Sequence, residues 1–205
     1  MKTLTYFSIR RFACQGLILV LLVGLCLETA HGQQSTTAQA KKWNTFHTKY
    51  FKLRYHSVSD LKKFDSRIDY SPNGSSFSSF SKSSVSPKGF KKKMASKLDA
   101  LFEKVQLILD MRKPFKVIVN LYPDETALQD EYFQIYKKKR KLRAWYIFEY
   151  NTIYMNVKDL SAGMLAHETA HAIVDNYLAV RPPRATAEIL ARYVDGHLTK
   201  KAKTY

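Results

Sequence analysis

Apolar residues recur along the chain at the spacing of helices that bury one face. Three- and four-residue spacing runs through residues 94–109, 164–178 and 187–198, which matches the 3.6-residue turn of an α-helix. Pro123, followed by Asp124 as an N-cap, predicts one more helix that ends at a run of lysines. The pattern therefore predicts four helices.

Strand-like segments separate these helices. Residues 50–55 alternate between apolar and polar, and residues 115–121 form an apolar run typical of a buried strand. Residues 143–148 and 152–157 are rich in aromatic and β-branched side chains, which predicts a hairpin or two adjacent strands. The order of elements predicts an α+β domain in which helices cover one side of a small mixed β-sheet.

Two stretches of the chain lack such a pattern. Residues 33–48 are predicted to be a polar lead-in. In residues 71–89, nine of nineteen positions are Ser, which is typical of a flexible insertion. Residues 49–205 are then expected to form a single domain that contains this insertion.

The N-terminus has the pattern of an export signal. Three basic residues precede an uncharged, apolar stretch at residues 16–27, and the small residues Ala30 and Gly32 precede Gln33. We expect a signal peptide at residues 1–32, cleaved near Gly32 and Gln33, and a secreted or periplasmic protein. The twelve apolar residues fall short of the ~20 that span a bilayer, so an uncleaved membrane anchor is the lesser alternative.

Removal of residues 1–32 changes the composition of the chain in two ways. Both cysteines, Cys14 and Cys26, would be lost, which excludes thiolate metal ligands and disulfides from the mature protein. The net charge would still be +15, with lysine-rich runs at residues 91–93 and 137–141. These runs predict either a solvated basic face or a surface for anionic envelope polymers or membrane. Nucleic acid is not an expected partner, because no nucleic-acid-binding motif accompanies the charge.

The chain contains the pattern His-Glu-x-x-His at His167, Glu168 and His171. Residues four apart on a helix lie on the same face one turn apart, so both imidazoles can bind one ion. Neutral imidazole is a good ligand for Zn²⁺. Glu168 stands at the edge of that face, where a carboxylate can accept a proton from water at the metal. The sequence therefore predicts a zinc centre with Glu168 as general base.

The helix after Pro182 and Pro183 offers a third ligand, Glu188. If the two helices run antiparallel, Glu188 returns to the level of His171, and the small side chains of Ala187 and Ala191 allow close approach. Asp195 and His197 are alternative third ligands, about two turns further along. Asp175 and Asp195 are also candidates to orient a ligating imidazole by accepting its second N–H group.

Residues 163–197 resemble the gluzincin zinc metallopeptidases, especially the small, secreted, peptidase MA-like proteins of bacteria, and the resemblance extends over residues 95–200. It implies a zincin-like fold with one Zn²⁺ ion bound by His167, His171 and Glu188, and Glu168 as the base. In that family a Tyr or His stabilises the oxyanion, and the candidates here are Tyr193, Tyr146 and Tyr154. In the same family an edge strand before the zinc helix aligns the substrate.

A metzincin is excluded, because Val174 and Tyr177 occupy the positions where that class has Gly and His.

The expected function is that of an exported zinc peptidase that cleaves a peptide or protein substrate. An alternative is a non-catalytic exported protein, stabilised by zinc, that binds anionic envelope polymers or a membrane surface. A third possibility is a basic membrane-surface protein whose histidines bind no metal. Metal content and the effect of replacing Glu168 separate these three hypotheses.

Overall fold

The computed structural model of the protein describes residues 42–70 and 86–198. The predicted signal peptide, most of the predicted lead-in and most of the serine-rich segment lie outside these residues. No helix within the described residues is long and apolar enough to cross a bilayer.

The described residues form a mixed α+β structure with one five-stranded sheet and five helices. The strands are β1 (Asn44–His47), β2 (Phe51–Tyr55), β3 (Val117–Tyr122), β4 (Ala144–Ile147) and β5 (Thr152–Asn156). The helices are α1 (Val58–Arg67), α2 (Pro87–Leu109), α3 (Glu125–Tyr136), α4 (Ala162–Tyr177) and α5 (Arg184–His197). The strand order is β1-β2-β3-β5-β4, with parallel strands in the centre and antiparallel strands at both edges.

All four predicted helices are present, and residues 143–157 form the predicted hairpin of β4 and β5. Two elements are additional. Strand β1 lies in the predicted polar lead-in and is largely exposed, so its sequence lacks an apolar face. Helix α1 begins at a capping box in which Ser57 and Asp60 bond to each other's backbone N–H groups. Helix α2 begins at Pro87, inside the segment expected to be flexible.

The helices cover both faces of the sheet, not one face as the sequence predicted. The main core joins β2, β3 and β5 to α1, α2, α4 and α5. Helix α3 packs on the opposite face, where Leu128 meets Trp145 and Tyr154. Every residue of β5 is buried. A strand that is buried on both faces needs packed elements on each face of the sheet. This arrangement places α4 on one face of the sheet, next to the edge strand β4.

Helices α4 and α5 run antiparallel. Residue 163 near the start of α4 lies against Asp195 near the end of α5, and His171 lies opposite Glu188. Ser161 caps α4 by accepting a hydrogen bond from the Met164 N–H group. The predicted antiparallel helix pair is therefore present and fixes the level of the candidate site.

Candidate metal centre

The side chains of His167, His171 and Glu188 converge between α4 and α5. The Nε2 atom of His167 lies 3.6 Å from Glu188 Oε2, and the Nε2 atom of His171 lies 3.6 Å from Glu188 Oε1. All three ligand atoms lie within 4.8 Å of one another. Ligands on a tetrahedral zinc ion with bonds of roughly 2.0–2.1 Å are separated by about 3.4 Å. The group can therefore hold one metal ion, and its two nitrogens and one carboxylate are compatible with zinc.

The sequence brings these ligands together through local helix geometry and close packing. The imidazole rings of His167 and His171 are one helical turn apart, with ring centroids separated by 5.0 Å. Ala191, one turn after Glu188 on α5, is fully buried in the core that contains both helices. Its small side chain lets α5 approach α4 closely enough for Glu188 to reach both rings. Asp195 and His197, the alternative third ligands, are not members of the metal-binding group found among residues 42–70 and 86–198.

Burial determines the protonation of two groups at the site. It lowers the pKa of His171 to about 4, assisted by the neighbouring His167, so the His171 imidazole is neutral at pH 7 and can donate its lone pair to a metal. Burial raises the pKa of the Glu168 carboxyl to about 8, and the negative charge of Glu188 contributes to the rise. A cation between the helices would favour the ionised form of Glu168 and oppose this shift.

The metal ligands lie in a cleft, and Glu168 lines it beside them. One wall comes from the end of α3 and the residues that follow it, and a second wall comes from β4. The third wall comes from the turn between α4 and α5 and the first residues of α5. The lining residues outside the metal-binding group include Tyr132, Tyr136, Arg140, Leu142, Ala144, Trp145, Tyr146, Asp175, Arg181, Arg184 and Ala187. Among the strands of the described residues, β4 is hydrogen-bonded to β5 alone and is therefore an edge of this sheet.

The two candidate orienting carboxylates lie in different places. Asp175 lines the cleft with its side chain almost fully buried, and Arg181 Nε lies 3.3 Å from Asp175 Oδ1. Burial raises the pKa of Asp175, and Arg181 opposes that change. Asp195 lies at the other end of the helix pair against Gly163. Asp175 is thus the one of the two that lies near the metal ligands.

Only one of the three candidate oxyanion tyrosines lines the cleft. Tyr146 does so, and its hydroxyl donates a hydrogen bond to Asn151 Oδ1 at 3.1 Å. Burial raises the pKa of Tyr146 well above its ordinary value, so the hydroxyl keeps its proton. Tyr154 stacks on Trp145 on the other face of β5. Tyr193 is half exposed and stacks on His197, outside the cleft.

Several cleft residues could not be singled out from the sequence. Tyr132 and Tyr136 reach the cleft from α3, and Arg181 and Arg184 reach it from either side of the proline pair. These residues have no motif spacing to the histidines, so only the tertiary arrangement brings them near. Arg140 belongs to the basic run at residues 137–141, and nothing in that run distinguishes it from its neighbours.

Comparison of the chain with known protein families, with curated proteins and with solved structures gives no match. A fold alone does not determine an activity, so function is inferred from the residues and geometry of the site.

Proposed function

We propose that the protein is an exported zinc-dependent hydrolase, specifically a peptidase of the gluzincin type. The observation that supports this most is the placement of His167, His171 and Glu188 within 4.8 Å of one another, beside the carboxyl group of Glu168. Two histidines and one glutamate leave a fourth position open, as catalytic zinc sites require. The antiparallel helix pair and the neighbouring edge strand also fit a zincin-like fold. Export rests on the signal-peptide pattern at residues 1–32.

A zinc ion held by these residues would supply a Lewis acid that polarises a carbonyl group and makes a nearby water more acidic. Glu168 would accept the proton from that water as it attacks, and would then deliver the proton to the leaving amine. The pKa of about 8 belongs to the metal-free protein. A bound cation would lower the pKa of Glu168, so that its carboxylate is ionised and able to accept the proton.

The peptide substrate would lie along the free edge of β4. Main-chain hydrogen bonds to an edge strand bind an extended peptide with little dependence on its sequence. Tyr146 lies on this strand, lines the cleft and remains protonated. It is our candidate for donating a hydrogen bond to the oxyanion, for which its single O–H group would turn from Asn151 Oδ1 to the substrate. Stabilisation of that developing charge is a large part of catalysis in acyl transfer.

The test pairs zinc content with cleavage of a mixed peptide library, for the wild type and for Glu168→Gln. We expect one zinc per chain in both proteins, because Glu168 is not a ligand. The variant should lose at least about 100-fold in kcat/KM, the typical contribution of a general base. Asp69→Asn, which changes an exposed carboxylate outside the cleft lining, provides the matched control.

The outcome separates the peptidase from the two non-catalytic hypotheses. If both proteins hold zinc and Glu168→Gln equals the wild type in every hydrolysis assay, the protein is not a peptidase. A zinc-stabilised binding protein for anionic envelope polymers or membrane would then be favoured. Protein purified without chelator that contains no zinc would contradict both of those functions.

A further inference from the structure

The cleft contains more positive charge than its acidic residues balance once a divalent metal is bound. Arg181 pairs with Asp175. The other charged residues of the cleft lining are Arg140 and Arg184, which are positive, and Glu168 and Glu188, whose carboxyl groups can each carry one negative charge. A divalent cation in the metal-binding group would then give the cleft an excess positive charge. Such a cleft attracts anionic groups, since low-dielectric walls strengthen the field inside it.

Arg184 is placed to meet a substrate beside the metal ligands. It is the first residue of α5 and directly follows Pro183, whose ring restricts the backbone at that point. It lies one turn before Glu188 and therefore on the same face of the helix. No carboxylate within residues 42–70 and 86–198 lies within ion-pair distance of Arg184 or of Arg140. Both arginines are exposed, and both line the cleft.

Arg140 lines the cleft on the segment that precedes the edge strand. Leu142, Ala144, Trp145 and Tyr146 line it as well, and residues 144–147 of this stretch form β4. Six residue steps separate Arg140 from Tyr146, a distance of at most about 20 Å even for an extended chain. The cleft therefore has one cation on the approach to β4 and a second, Arg184, on the same helix as the metal ligand Glu188.

We propose that the cleft selects anionic peptides, with Arg184 binding a peptide carboxylate next to the scissile bond and Arg140 binding a second one further along. This inference rests on the proposed peptidase function and adds the class of substrate. Guanidinium groups bind carboxylates through two parallel hydrogen bonds, which makes Arg a selective partner for them. The carboxylate belongs either to an Asp or Glu side chain or to the peptide C-terminus.

Binding to the zinc-loaded Glu168→Gln protein tests selectivity without cleavage. Fluorescence anisotropy would compare amidated hexapeptides that carry Asp with isosteric peptides that carry Asn. A third peptide, with neutral side chains and a free C-terminus, identifies the source of the carboxylate. We expect a charged peptide to bind about tenfold or more tightly than its neutral counterpart, as for a charge-assisted hydrogen bond. Equal binding of all three would overturn the inference.

Arginine variants in the same background assign the preference to residues. Arg184→Gln should remove most of the preference, whereas Arg192→Gln, a matched change of an exposed arginine on α5 outside the cleft lining, should leave it intact. Arg184→Glu should reverse it in favour of Lys-containing peptides. Arg140→Gln should weaken the binding only of peptides that carry two acidic residues. Lys139→Gln is the matched control for this variant. A preference that survives Arg184→Glu would contradict the proposed role of this residue.

The kinetics of the wild-type protein separate this inference from the proposed function. Cleavage of acidic and neutral peptides at equal kcat/KM would overturn the selectivity and leave the peptidase intact. Selective binding that depends on Arg184, with no cleavage of any peptide, would contradict the peptidase alone. A polygalacturonate oligomer provides the last comparison. If it binds tightly through Arg184 while the peptides are not discriminated, the occupant of the cleft is an anionic polysaccharide and the inference is overturned.

Discussion

At the scale of single residues, Glu168 has the most perturbed environment among the proposed functional groups. Glu168 follows His167 in α4, and burial raises its pKa from an ordinary value of 4.5 to about 8. A buried carboxyl group that is destabilised in its charged form and placed beside a set of metal ligands is a common feature of active sites. The same shift affects the stability of the metal-free protein.

The first prediction follows from the sign of this shift. Between pH 4.5 and 8 the folded protein retains the Glu168 proton that the unfolded chain has released. The free energy of unfolding of the metal-free protein therefore falls as pH rises across this window. Glu168→Gln removes the effect, so the variant should be more stable than the wild type at pH 8 and closer to it at pH 5. The shift corresponds to about 4 kcal/mol at pH 8, so we expect a difference in Tm of about 10 °C at that pH.

Thermal unfolding in the presence of chelator, followed by circular dichroism at several pH values, measures this difference. Other groups also titrate in this range, so the informative quantity is the gap in Tm between variant and wild type. Asp69→Asn controls for the loss of a carboxylate elsewhere. A gap that is the same at pH 5 and pH 8 would show that Glu168 ionises normally in the folded protein.

At the scale of elements, the packing of α4 against α5 determines whether the ligands meet. Ala191 is fully buried in the core that contains both helices. Ala191→Leu would place three more carbon atoms in a filled space and would force the helices apart. We expect this overpacking to cost about 1–3 kcal/mol and to weaken zinc binding, because Glu188 would move away from the imidazoles.

Zinc titration and thermal unfolding test this prediction together. Ala185→Leu is the matched control, since residue 185 lies in the first turn of α5 and is exposed. The control should keep both the Tm and the zinc affinity of the wild type. Unchanged zinc affinity in a destabilised Ala191→Leu protein would mean that helix spacing does not limit ligand geometry.

The elements also show what could be predicted from sequence. Helices α4 and α5 were predictable because each has a continuous apolar face, and the two histidines are related by a single helical turn. Strand β1 was missed because it is an exposed edge strand with no apolar alternation. The position of α3 was predicted wrongly, since a strand that is buried on both faces, such as β5, does not indicate which face a given helix covers.

The cleft illustrates a second limit of sequence reasoning. Glu188 was predictable because the proline pair implies a reversal of direction and the two helix lengths then fix its level. Tyr136 and Arg184 contribute to the cleft through the relative placement of α3, β4 and α5, which no local spacing encodes. For the same reason Tyr146, Tyr154 and Tyr193 could not be ranked from sequence, although only Tyr146 lines the cleft.

At the scale of the whole molecule, the metal-binding group links two segments of the main core. Its histidines lie on α4 and its carboxylate lies on α5, and both helices pack into the same core as β3 and β5. Both cysteines lie in the predicted signal peptide, so we expect the mature protein to rely on its core and on metal for stability. A ligand that binds only the folded state stabilises the protein in proportion to RT ln(1 + [L]/Kd).

The last prediction is that zinc raises the Tm of the whole domain and that this effect requires Glu188. At a zinc concentration about 1,000 times the Kd, the stabilisation is about 4 kcal/mol, which raises the Tm by roughly 10 °C. Chelator should reverse the shift. Glu188→Gln should abolish most of it, whereas Asp195→Asn on the same helix should retain it, since Asp195 lies against Gly163 and not at the ligands. A full zinc response in Glu188→Gln, together with its loss in Asp195→Asn, would show that residue 195 is the third ligand and that α5 binds the metal in a different register.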